Sequence, residues 1–132
     1  ADAGIKAWGA TLTELFENSA KGMFSVIAKE GRKAQGPKIE KRIDISKNTE
    51  SFEEILVSWL SELLYIFNME KIYFEDFKIS SLNNNGIAAD TKGVSLGPYQ
   101  SNLYTEIKAV TFHNLKIEET ADGFNCTIIF DV

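Results

Sequence analysis

The side chains with chemistry to offer are few, and they fall at three places in the chain. Thr105 to His113 (TEIKAVTFH) packs a carboxylate (Glu106), an ammonium (Lys108) and an imidazole (His113) into nine residues. Asp2 and Asp131 each sit at the end of an apolar stretch, Asp131 directly after TIIF. A carboxylate in apolar surroundings must face solvent or be neutralised by a cation. If the strands that carry Asp2 and Asp131 are neighbours, both could meet on one hard cation, with the carboxylate of Val132 as a further donor. Two exposed aspartates with no ligand are the plainer reading of the same residues. On an extended strand, side chains alternate between faces. Glu106, Lys108, Val110 and Phe112 would then share one face, opposite Ile107, Ala109, Thr111 and His113. The plainer reading there is a surface ion pair on a half-exposed strand.

Composition narrows the chemistry. With one His and one Cys, zinc sites built from His and Cys ligands are excluded within a single chain. A metal would be held by oxygen, which points to calcium, magnesium or manganese. Cys126 lies in an apolar stretch and reads as a buried, inert thiol; a lone cysteine also fits a reducing compartment. There is no glycine-rich phosphate loop, no G-x-G-x-x-G and no G-x-S-x-G, and His113 has no serine or cysteine partner at motif spacing. The net charge of -5 argues against strong direct nucleic-acid binding by phosphate neutralisation. The locally basic run Lys29, Arg32, Lys33, Lys38, Lys41 and Arg42 is diluted by Glu30, Glu40 and Asp44, and reads as a solvated loop and strand edge. No apolar run reaches the roughly 18 residues that span a membrane, and the opening ADAGIKAWG lacks signal-peptide character. A cytoplasmic protein is the expectation.

The elements that must position these residues follow from periodicity. At 132 residues the chain fits a single domain, 1–132. Ile5 to Trp8 reads as a first strand. Thr11-x-x-Glu14 is a capping box that opens a helix, whose apolar stripe runs from Leu12 to Ile27 and stops at Gly31. Gly22 inside it suggests a close backbone approach. Ile39 to Ile45 alternates as a strand. Ser51 and Glu54 form a second capping box before an apolar stripe from Phe52 to Phe67, broad enough to predict a helix buried on more than one side. Ile72 to Ser81, with an acidic break at Glu75-Asp76, turns at Asn83–Gly86 into a returning strand, Ile87 to Leu96, with a bulge expected at Gly93. Tyr99 to Tyr104 reads as an irregular approach to TEIKAVTFH. Asn114 turns the chain, Ala121-Asp122-Gly123 makes a hairpin, and Phe124 to Val132 closes it. The prediction is an α+β, two-layer domain, with two amphipathic helices on a largely antiparallel or mixed sheet of about seven strands.

Four of these stretches carry a family likeness. Ala1-Asp2-Ala3-Gly4-Ile5 with Ala7-Trp8-Gly9 and Thr11-Leu12, then LSELLYIF (60–67), TEIKAVTFH and the pair Asp131-Val132 together resemble the archease family in order and spacing. The likeness departs at its start, where family members usually carry a His and a second residue just before the Ala-Asp pair and this sequence has neither. The resemblance implies an accessory protein of the RtcB-type RNA ligase in tRNA splicing, one that is not itself an enzyme. Such a protein promotes guanylylation of the ligase and allows multiple turnover, meeting GTP and RNA only through the ligase. It further implies that Asp2 and Asp131 are metal-binding carboxylates and that Lys108 is a functional lysine, flanked by Glu106 and His113. Two alternatives stand beside it: a small metal-dependent hydrolase using the two aspartates, and a general chaperone or binding module.

Overall fold

The computed structural model describes residues 2–29, 34–97 and 104–132. In chain order the elements are β1 (Asp2–Gly9), α1 (Leu12–Ile27), β2 (Lys38–Ser46), α2 (Phe52–Glu70), β3 (Ile72–Asn83), β4 (Gly86–Ser95), β5 (Ala109–Val110), β6 (Glu118–Thr120) and β7 (Gly123–Asp131). The fold is α+β as the patterns predict. Among the described residues, seven strands divide into a four-stranded sheet, in which β7 lies between β1 and the pair β5 and β6, and a three-stranded sheet in the order β2-β4-β3. Every pairing is antiparallel.

Both helices start where the sequence places their caps. The Thr11 hydroxyl accepts the Glu14 N–H at 3.1 Å, and Glu14 reaches back to the Ala10 N–H at 3.1 Å. Ser51 accepts the Glu54 N–H at 3.3 Å, but the return arm differs: Glu54 takes the Thr49 hydroxyl, which itself accepts the Ser51 N–H. Thr49 thus relays the second half of the box. The end of α1 is earlier than Gly31, a residue outside those described. Ala28 turns extended and bridges to Tyr104, while the Ile27 carbonyl accepts the Thr105 N–H at 2.8 Å, so pairing with a distant segment ends the helix.

The core lies between the helices and the inner faces of the two sheets. Leu15, Phe16, Ala20, Met23, Phe24 and Ile27 of α1 are buried, and nine apolar residues of α2 join them, consistent with burial on several sides. Phe24 stands edge-on to Phe67, Tyr73 and Phe74, a geometry that aligns positive ring edges with negative faces. The Trp59 indole N–H donates to the Phe16 carbonyl at 3.0 Å, tying α2 to α1. A β-carbon at Gly22 would sit 2.7 Å from Ile5 Cδ1, so the glycine does let β1 lie close to α1. The acidic break at Glu75-Asp76 is a register shift in β3 rather than an interruption. The irregularity expected at Gly93 therefore belongs to the strand opposite. Gly93 itself stays in regular register with Ile39, and a β-carbon there would overlap the Tyr73 carbonyl. A second shift after Ile79 accompanies capture of the Ile79 N–H by Glu17 of α1 at 2.9 Å.

A further expectation fails in detail. TEIKAVTFH is not an alternating strand: only Ala109 and Val110 pair as β5, Ile107 is buried, and Lys108, Ala109 and Phe112 are exposed. After Thr105, whose N–H goes to the Ile27 carbonyl, the described segment pairs with β7 and with no second strand that would hold it in a regular pleat. The expected irregular approach from Tyr99 to Tyr104 lies, as far as Leu103, outside the described residues.

Candidate functional site

The alternation of β7 decides which side chains can act. Cys126, Ile128 and Phe130 point into the core, so Asn125, Thr127, Ile129 and Asp131 occupy the other face. Asp2 pairs in register with Asp131, and residues directly opposite on antiparallel strands present their side chains on one face, with Cα atoms about 4.5–5.5 Å apart. The first and last strands are therefore neighbours, and the two carboxylates project from the same end of the same sheet. On the other flank of β7, Ala109 pairs with Asp131, and the Lys108 N–H donates to the Asp131 carbonyl at 2.7 Å. The Thr111 N–H and hydroxyl both donate to the Ile129 carbonyl, at 3.0 and 2.9 Å. These bonds fix the backbone beside Lys108, whose side chain is exposed and forms no ion pair with either carboxylate among the described residues. Val132 is half-buried and packs against the core, which anchors Asp131 from the other side.

Like charges directly opposite on a sheet repel, and no lysine or arginine forms an ion pair with Asp2 or Asp131 among the described residues. Two uncompensated carboxylates on one face fit a hard cation that keeps much of its water, because oxygen is the donor such ions take. The set is sparse, however. Among the described residues no three or more of His, Cys, Asp and Glu gather into a metal-holding group.

The other candidates fall away from this end. Glu106 is exposed on the segment before β5 and borders a cleft with Asn68, Lys71 and Tyr104 at the end of α2. His113 is exposed in the turn after Thr111, where its N–H donates to the Thr111 hydroxyl at 3.2 Å. Since Ala109 lies opposite Asp131 and Thr111 bonds Ile129, the chain is already running away from the carboxylates when it reaches His113. Cys126 is buried as expected, and burial pushes its thiol up to about 11, the behaviour of an inert group. Much of the basic run is spent internally: Lys38 on Glu75 (3.1 Å), Lys41 on Glu70 (2.8 Å) and Arg42 on Asp90 (3.2 Å), while Arg32 and Lys33 lie outside the described residues.

Sequence reasoning misses the rest of this outer face. Beyond the carboxylates come the cross-strand pairs Gly4–Ile129, Lys6–Thr127 and Trp8–Asn125, with Glu118 opposite Asn125 on the far flank. Trp8 is 60% exposed. The available signal is Lys6 and Trp8 two residues apart, alternating with the inward-facing Ile5 and Ala7.

The chain's relatives agree with one another. Residues 1–132 match the profile of the Archease protein family (MTH1598/TM1083). The protein archease of Methanosarcina acetivorans is 38% identical over 136 residues, spanning 100% of this chain and 90% of that protein. That of Pyrococcus furiosus is 38% identical over 128 residues, spanning 93% and 86%. The solution structure of Methanobacterium thermoautotrophicum protein 1598 superposes with a TM-score of 0.75 at 31% identity, covering 100% of this chain and 93% of that one. The crystal structure of a Thermotoga maritima archease, described as a possible chaperone, shares the fold with a TM-score of 0.62 at 18% identity, covering 100% and 90%. Matched from end to end by the family profile and over 93% or more of its length by each of these relatives, this two-sheet α+β chain belongs to the archease family.

Proposed function

We propose that this protein is a non-enzymatic accessory factor of an RtcB-type RNA ligase in tRNA splicing, promoting guanylylation of the ligase and its multiple turnover. The observation that carries the reading is the register that sets Asp2 opposite Asp131, with Lys108 on the adjoining segment. In this reading Asp2 and Asp131 hold a divalent cation (Ca, Mg or Mn), and a main-chain oxygen of Val132 is a further donor. When bound, the cation supplies positive charge for phosphate oxygens. Lys108 places its ammonium beside that charge, where it can steady a phosphate of GTP in the ligase pocket. Glu106 and His113 take peripheral parts, Glu106 from the cleft at the end of α2. The protein meets RNA and nucleotide at this end through the ligase. No described helix is long and apolar enough to cross a membrane, and a cytoplasmic setting is part of the proposal.

A hydrolase built on the same aspartates is disfavoured, because the segment carrying His113, the one imidazole available as a base, runs away from them. The test is RNA ligation by an RtcB-type ligase kept at a low ratio to RNA. Product should exceed one equivalent of ligase only when this protein is added, and Asp2→Ala, Lys108→Ala and Asp131→Ala should each reduce the gain by about tenfold or more. Full stimulation by both aspartate variants overturns the metal role. No stimulation of a competent ligase overturns the accessory role.

A further inference from the structure

The outer face of the four-stranded sheet carries a second feature, at the end away from the carboxylates. Lys6, Trp8, Lys116, Glu118 and Asn125 line one groove of about 340 Å³, into which the turn at Asn114 also opens. Asn114 has φ 53°, a left-handed conformation that asparagine tolerates better than most residues, and that turn brings Lys116 round to the groove. Neither lysine forms an ion pair or side-chain hydrogen bond among the described residues. Neither helix covers this face: α1 and α2 pack on the inner faces of the sheets.

We propose that this groove binds a ribonucleoside monophosphate unit. The assignment follows from the order of groups across the face. Trp8, exposed and in strand register with Asn125, offers an indole surface for a base to stack on. Asn125 beside it carries an amide that both donates and accepts, the pattern needed at a base edge. Lys6 lies two residues along the same strand face and Lys116 on the opposite flank, so two ammonium groups border the place a 5′-phosphate would take. Glu118, opposite Asn125, is a carboxylate acceptor for ribose hydroxyls, and it makes the groove selective for a sugar over a bare polyanion. The volume is within the range of small-molecule sites. The net charge of -5 disfavours indiscriminate phosphate binding, whereas a stacked base with two local lysines needs no basic surface at large. Thr127, at the near edge of the groove, lies four residues along β7 from Asp131, about 13 Å, so the groove is separate from the carboxylate end.

The unit can come from a free nucleotide or from a single strand of RNA, and titration calorimetry with each distinguishes them. Uridine and guanosine 5′-monophosphate, and a short oligouridine, are titrated into the intact protein, with Trp8→Ala and the double variant Lys6→Ala/Lys116→Ala alongside. All three side chains are at the surface, so the variants should keep the parent's melting temperature. Saturable binding that weakens about tenfold or more in Trp8→Ala and about fivefold or more in the lysine variant supports the site. A gain of about tenfold for the oligonucleotide over the mononucleotides then assigns the source to RNA, and equal affinity assigns it to free nucleotide. No saturation by either up to millimolar concentration overturns the proposal, as does binding that the variants leave unchanged. Capture of a protein through Trp8 without nucleotide binding overturns it equally.

Discussion

Single residues in this fold are asked to do unlike things, and Cys126 and Asp131 show the contrast from one strand. Cys126 faces inward, and burial raises its thiol from 9.0 to about 11. In the folded protein about one thiol in a thousand is ionised at pH 8. Labelling by iodoacetamide at that pH should be slow on the native protein and rapid once it is unfolded, as mass spectrometry would read. The sign of the linkage follows from the raised value. Its contribution is fully present below pH 9.0 and is lost as the pH climbs to about 11, on the order of 2–3 kcal/mol. The denaturant midpoint should therefore fall across that window, and less steeply in Cys126→Ala. Tyr73 and Tyr104, raised chiefly by burial, push in the same direction, so the comparison with the variant isolates the thiol. Asp131, five residues on and of opposite parity, faces out.

At the scale of elements, the glycines separate two kinds of closeness. A methyl group at Gly93 would overlap a backbone carbonyl of β3 beside the register shift, and neither strand can yield without breaking its ladder. Gly93→Ala should cost about 2–3 kcal/mol, measured as a shift in denaturant midpoint. At Gly22 the obstacle is the tip of the Ile5 side chain, 2.7 Å away, which can rotate. Alanine is worth roughly 1 kcal/mol more than glycine inside a helix, so Gly22→Ala should come out near neutral. Loss of the Thr11 cap in Thr11→Ala should cost about 1 kcal/mol. Elements governed by their own sequence are legible: α2 can be read from Phe52 to Phe67 because its stripe has one period, and the caps name their own positions. What depends on distant partners is not. The end of α1 is set by Tyr104 and Thr105, and the irregularity of TEIKAVTFH by its pairing with β7 and no second strand among the described residues. The carboxylates are visible as two aspartates at strand ends, but only the pairing of β1 with β7 makes them a couple. The Lys6–Trp8 face goes unnoticed because its other half, Glu118, Asn125 and Lys116, comes from far along the chain.

For the molecule as a whole, β7 is the strand on which the rest of its sheet depends, paired along its length with β1 and at its two ends with β5 and β6. A cation held between Asp2 and Asp131 would bind the folded protein and not the unfolded chain. Saturation at about 100 times the dissociation constant should add about 2.7 kcal/mol of stability. Melting with and without calcium or manganese should show the rise, and Asp131→Asn should abolish it while leaving the melting point in chelator little changed. Because Asp2 meets Asp131 across nearly the full span of the sequence, β1 waits as an unpaired edge while the intervening elements are made. Closing so distant a contact is slow relative to local pairing. A chain whose β7 has not yet docked can assemble the β2-β4-β3 sheet, which does not include that strand, but has no carboxylate pair. Only a copy in which β1 and β7 have met sets the two aspartates side by side, so their juxtaposition also serves as a certificate of completed folding.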